Sequence, residues 1–238
     1  MKNLTSTLIL SAAMILQACD GDNNCNPATG EVMGEELLLD PFNQISLEIA
    51  ATVYVSKGDE RQVMVQAQRS IVDLLSQTFV TNDTWSIGFD ECVNTSEEII
   101  IFVTIPALAE VSVSGSGGVV VQDTFIQDDV SLMTSGSGSI QGQFETNSLG
   151  CVVSGSGGII VSGTAQSADL SISGSGSVQA FDLLATACEV SVSGSGSASV
   201  NVSSRLDVRI SGSGSVRYRG NPDITSNISG SGRLIDAN

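Results

Sequence analysis

The tetrapeptide Ser-Gly-Ser-Gly occurs seven times, starting at Ser114, Ser135, Ser154, Ser173, Ser193, Ser211 and Ser229. The gaps are 21, 19, 19, 20, 18 and 18 residues. A flexible linker has no reason to recur at a near-constant interval. A chain that closes one turn of a structure every 18 to 21 residues does. Aligned on the first Ser, the position three before reads Val111, Leu132, Cys151, Leu170, Val190, Val208, Ser226. The position one before reads Val113, Thr134, Val153, Ile172, Val192, Ile210, Ile228, and the residue between the two is mostly polar. Five after the Ser, apolar character returns with Val119, Ile140, Ile159, Val178, Ala198, Val216 and Leu234. This period of two is that of a strand with one buried face.

Strand, corner, strand is therefore the unit, and a unit this short cannot bury its apolar face alone. Stacking in a parallel ladder places each coil about 4.8 Å above the last, so six steps predict roughly 30 Å between first and last corner. The expected fold is all-β, a single-stranded right-handed parallel β-helix with seven SGSG corners. The corner glycines are Gly115, Gly117, Gly136, Gly138, Gly155, Gly157, Gly174, Gly176, Gly194, Gly196, Gly212, Gly214, Gly230 and Gly232. They suit positive φ and close backbone approach. No proline lies between Pro106 and Pro222, as a region dense in ladder hydrogen bonds requires. Other glycine signatures fit less well. A dinucleotide fingerprint occurs once, between strand and helix. Calcium-binding nonapeptide repeats carry an Asp in every unit, and a left-handed hexapeptide helix keeps stricter six-residue steps.

Four segments follow. Residues 1–18 hold Lys2 and the apolar run Leu8 to Leu16, which is shorter than the roughly 20 residues that span a bilayer. They end in "LQAC", which resembles the bacterial lipobox, cut before a cysteine carrying diacylglycerol; Leu16 and Ala18 match its preferred residues. That resemblance implies lipidation at Cys19 and anchoring in a lipid bilayer through the acyl chains. Residues 19–36 read as a polar flexible tether. Residues 37–110 read as a β-rich leading segment covering the first coil, in which "FNQISLEIAATVYVSKGDERQVMVQAQ" forms two strands joined at Lys57-Gly58-Asp59 and "SIVDLLSQ" one or two helical turns. Residues 111–238 are the repeat.

Charge and chemistry narrow the function. The chain carries 26 acidic against 9 basic residues and no His, for a net charge of −17. Such acidity repels phosphate-rich partners, so nucleic acid is not expected. Lack of His removes the commonest general base and metal ligand. The acid pairs Asp90–Glu91, Glu97–Glu98 and Asp128–Asp129 recur at no fixed offset, and no activated nucleophile is apparent. Phe125, Phe144, Phe181 and Tyr218 fall at offsets of 11, 9, 8 and 7 from their Ser, so they read as packing residues rather than a sugar-stacking ladder. Neither a catalytic residue, a cofactor nor a metal site is predicted. Cys151 and Cys188 fall at inward positions and read as buried thiols. Cys25 and Cys92 lie outside the repeats and are candidates for a disulfide.

The order "PFNQISLEIAATVYVSKGD", "IIIFVTIPALAEVSVSGSGGV", then recurring "SGSGSV" resembles the bacterial head GIN domain, an auto-transporter adhesin domain, over roughly residues 37–238. The resemblance implies a pectin-lyase-like β-helix at the cell envelope that acts in adhesion. The resulting expectation is an envelope lipoprotein, at the outer membrane or the periplasmic face of the inner membrane, with a non-catalytic structural or adhesive module. Its partner would be a glycan or surface protein. The alternative is a carbohydrate-binding or polysaccharide-active enzyme. The chain has only six residues after the last SGSG, leaving the final coil uncovered, which predicts homo-oligomers through the C-terminal coil.

Overall fold

Alternating small aliphatic and polar residues keep the backbone extended from one corner to the next, so each coil is almost one strand. The computed structural model describes residues 25–238; the leader and Cys19 lie outside them. The chain opens with β1 (Asn26–Pro27), β2 (Val32–Leu37), β3 (Gln44–Leu47), β4 (Thr52–Lys57), β5 (Gln62–Gln68) and helix α1 (Arg69–Leu75). There follow β6 (Val80–Thr81), β7 (Thr84–Ile87), β8 (Val93–Asn94), β9 (Ile100–Ile105) and β10 (Glu110–Gly115). The coils proper are β11 (Gly118–Gly136), β12 (Ser139–Gly155), β13 (Gly158–Gly174), β14 (Ser177–Gly194) and β15 (Ser197–Gly212). The last is split into β16 (Ser215–Arg219) and β17 (Asp223–Gly230), and β18 (Arg233–Asp236) follows the final corner.

Neighbouring coils pair in parallel, and the first glycines of the seven corners are register partners from Gly115 through Gly136, Gly155, Gly174, Gly194 and Gly212 to Gly230. The molecule is a β-solenoid. Its inward columns are those of the sequence. Val119, Ile140, Ile159, Val178, Ala198 and Val216 stack in register and are buried. In every corner but the last, the second glycine is buried against the previous coil while both serines stay exposed, for example Gly138 between Ser135 and Ser137 on one side and Ser139 on the other. The corner backbone is hydrogen-bonded upward, with both Ser156 and Gly157 N–H donating to the Gly136 carbonyl at 2.8 and 2.9 Å.

The variation in unit length is absorbed mainly after the corner. Val120 pairs with Gln141 but Thr124 with Gln143, so two extra residues bulge out between them. Similar shifts fall at Ile160/Gly163 and Ala180/Leu184, on the stretch after the corner, and a smaller one of opposite sense falls later in the coil, at Ala185/Ala187. The bulge also brings Phe125 opposite Phe144, and both are fully buried.

The leading segment departs from the sequence reading in two respects. "QISLEIAATVYV" is not one strand but β3 and β4, which run under β10 and β11 in parallel register, Leu47 beneath Val113 and Thr52 beneath Gly118. Glu48-Ile49-Ala50-Ala51 thus occupies the place of an SGSG corner without its glycines. Beneath this coil lies another, β7 with β9, whose corner is enlarged to the loop 88–99. Stack order therefore differs from chain order. The second departure is β2, which begins inside the 19–36 stretch read as tether and ends at Leu37. It pairs antiparallel with β5, which pairs antiparallel with β9, so β2 ends that face of the stack. Val32 to Leu37 alternates in burial but not in sequence, where Val32 and Met33 are adjacent apolar residues and Glu35 and Glu36 adjacent acids, and its partner lies about thirty residues on. Helix α1 buries Ile71, Val72 and Leu75 at the same end. There Trp85 is fully buried, 5.5 Å from Phe42 between ring centroids, with its indole N–H donating to Thr78 Oγ1 at 3.0 Å. The N-terminal end is closed. At the other end β17 is exposed along its whole length.

Candidate functional site

Half a coil along the chain from each corner, the strand turns back toward the next corner. Here the outward side chains of successive coils form rows. One row is hydrogen-bonded throughout. Asn147 Nδ2 donates to Asp128 Oδ1 at 2.9 Å, and Gln166 Nε2 donates to Asn147 Oδ1 at 2.9 Å. Each residue belongs to a different coil, β11, β12 and β13. Beneath them the Thr146 hydroxyl, nearly buried, donates to the Asp128 carbonyl at 2.8 Å and ties two of the coils at the turn. The Ser167 hydroxyl donates to the Asn147 carbonyl at 3.2 Å and ties the next.

These residues line an open groove of about 650 Å³ that crosses five coils, from Ile126 and Asp128 through Glu145, Thr164 and Gln166 to Thr186 and Ser203. Ile126 and Leu184 stand exposed within it, 63% and 50% accessible. The lining offers carboxylate acceptors, amides that both donate and accept, and hydroxyls, with two aliphatic contacts. Such a surface can hold a polyhydroxylated or otherwise polar ligand laid across the coils. Asp128 is engaged in holding Asn147. Its neighbour Asp129 pairs with Ser148 in the ladder, and the two acids share no third carboxylate. Among the described residues no group of three or more acidic or cysteine side chains is placed to hold a metal ion.

The other singled-out residues lie elsewhere. Cys25 and Cys92 are joined by a disulfide with Cα atoms 4.7 Å apart. It ties the start of the described chain to the loop 88–99, where β1 pairs with β8 and Asn26 Nδ2 donates to Glu91 Oε2 at 2.8 Å. Glu97 and Glu98 lie in this same loop, far along the chain from the groove. Cys151 and Cys188 are free and buried. Burial pushes the Cys188 thiol up to about 12, with Asp169 and Glu189 adding to it. Burial, then Cys188 and Asp169, raise Cys151 as well. Both are packing groups rather than nucleophiles. Sequence reading missed the groove because its residue types differ from coil to coil. Only the register, corrected for the bulges, puts Asp128, Asn147 and Gln166 in one row.

Residues 41–222 match the model of the family described as "Putative auto-transporter adhesin, head GIN domain". No curated protein matches the sequence. Among solved structures, a "putative adhesin" from Bacteroides fragilis superposes with a TM-score of 0.82 at 24% identity, covering 88% of this chain and 99% of that one. A "putative lipid binding protein" from Parabacteroides distasonis gives 0.75 at 24% identity, with 89% and 99% covered. A "putative adhesin" from Parabacteroides merdae gives 0.72 at 20%, with 89% and 98% covered. At these identities the likeness is one of fold.

Proposed function

The chain belongs to the head GIN domain family, and from that premise we propose that it is an envelope lipoprotein whose solenoid is a non-catalytic adhesion module, with the groove as its ligand-binding face. The observation that carries this reading is the row Asp128–Asn147–Gln166, three side chains on three coils locked into one polar strip. A strip fixed by its own hydrogen bonds presents its remaining donors and acceptors with little entropy left to lose on binding. A glycan is the ligand class that matches alternating hydroxyl, amide and carboxylate partners. Acylation at Cys19 would hold the N-terminal end at a membrane, with more than one acyl chain needed for stable attachment. The disulfide at Cys25 would then fix where the short tether leaves the domain.

A glycan array probed with the domain tests the binding reading, with Gln166→Ala as the paired variant. Binding that the variant weakens at least fivefold supports it. Absence of any glycan hit, or hits indifferent to the groove, overturns it. The polysaccharide-active alternative is separated in the same experiment by incubating the bound glycan and looking for shortened products that Asp128→Asn abolishes. Vesicles belong in the screen too, given the name of the Parabacteroides distasonis structure. Anchoring is tested separately, by labelling with a fatty-acid analogue that Cys19→Ala prevents.

A further inference from the structure

We infer that the open C-terminal coil docks a second copy of this chain, tail to tail, by antiparallel pairing of β17 with itself about Ser226. Every earlier coil is roofed by the next. Among the described residues β17 is hydrogen-bonded only to β15, and β18 only to β16, so the outer edge of both strands has no partner there. Ile224 and Ile228 continue the buried columns of Leu206 and Ile210, yet are 40% and 39% exposed. The usual protections of an edge are missing along the pairing stretch: residues 224–232 contain no charged residue and no proline, and β17 keeps its register without a bulge.

The occupant follows from the strand's own symmetry. Opposed residues in an antiparallel pair must point to the same face, so the two-fold axis passes through a residue. Placed at Ser226, it sets Ile224 of one copy against Ile228 of the other, twice, and carries both aliphatic columns across the seam. Thr225 meets Asn227 on the outside. The charges agree. In this register Asp223 of each copy lies opposite Ser229 at the corner end of the other, and the arginine that follows that corner, Arg233, is the cation nearest along the chain to meet it. Among the described residues neither is in an ion pair within its own chain. The assembly stops at two, because the opposite end of each solenoid is closed by β2, β5 and α1. Adhesion then acquires a homophilic element. If the N-terminal ends are anchored as proposed above, the pair carries an anchor at each pole and can join two surfaces.

Sedimentation velocity over a wide concentration range on the chain from Asp20, which keeps every described residue, tests the docking without any membrane. It is therefore independent of whether Cys19 is acylated. The wild type is expected to dimerise. Asp223→Arg and Arg233→Asp each place like charges at both contacts and should weaken the dimer roughly tenfold, with unchanged circular dichroism. An equimolar mixture of the two variants restores opposite charges at both contacts and should dimerise like the wild type. A wild type that stays monomeric, or a mixture no better than its components, overturns the inference.

Discussion

A β-carbon added to Gly155 would lie 2.6 Å from the carbonyl oxygen of Gly136, its register partner one coil below. Both residues hold φ near +114°, a conformation open to glycine and closed to most side chains. The corner thus excludes a side chain twice over, by its own dihedral and by the coil beneath. Gly155→Val is expected to cost about 3 kcal/mol or more of unfolding free energy. Gly150→Ala is the control, because its added carbon meets nothing nearer than 3.9 Å. It should stay within about 0.5 kcal/mol of the wild type in urea denaturation.

Thr134 stands between Val113 and Val153 in a buried column, and its hydroxyl finds no hydrogen-bond partner. A buried hydroxyl left unpaired carries its desolvation cost without return. Thr134→Val fills the same volume with a methyl group and continues the column. A gain of about 1 kcal/mol is expected, read as a higher denaturant midpoint at unchanged slope.

The raised thiols make stability depend on alkaline pH. Cys188 is near 9.0 as an ordinary thiol and about 12 in the fold, so the folded state favours the protonated form. Its contribution is whole below pH 9 and is lost as pH climbs through 12. Unfolding free energies from urea titrations at pH 8 and pH 10.5 should differ by about 4 kcal/mol more in the wild type than in Cys151→Ala/Cys188→Ala, about 2 kcal/mol for each thiol. The double variant starts lower because of the cavities it leaves, but its curve should be flatter.

The Cys25–Cys92 link spans 67 residues of sequence. Cys92→Ser is expected to lower stability by about 2–4 kcal/mol and to free the segment that pairs with Val93 and Asn94. Denatured, unreduced chain from Asp20 should titrate two thiols, those of Cys151 and Cys188. A count of four would remove the disulfide.

The repeat was legible because its evidence is local. Each SGSG names a corner, and the residues one and three before it name the inward face, so Val153 and Cys151 could be placed from spacing alone. Two kinds of information were not local. Phe125 and Phe144 are two residues out of step when counted from their corners, and only the bulge after Val120 brings them opposite each other. The coil containing Glu48-Ile49-Ala50-Ala51 has no glycine signature because it rests on the enlarged 88–99 corner rather than on another tight bend. Its chain neighbours, moreover, are not its neighbours in space. The groove shares the first difficulty. A row made of Asp, Asn and Gln has no recurrent letter to find.

Between β12 and β13 the offset is 19 residues at every paired position, without a bulge. Excising Ser139 to Gly157 would therefore bring Gly138 to Gly158 with the corner intact, yielding a molecule one storey shorter and otherwise in phase. Duplicating the same block would add a storey, about 4.8 Å. The distance from the closed cap to the open tail can thus be set in whole steps, by counting bends rather than by redesigning the interior.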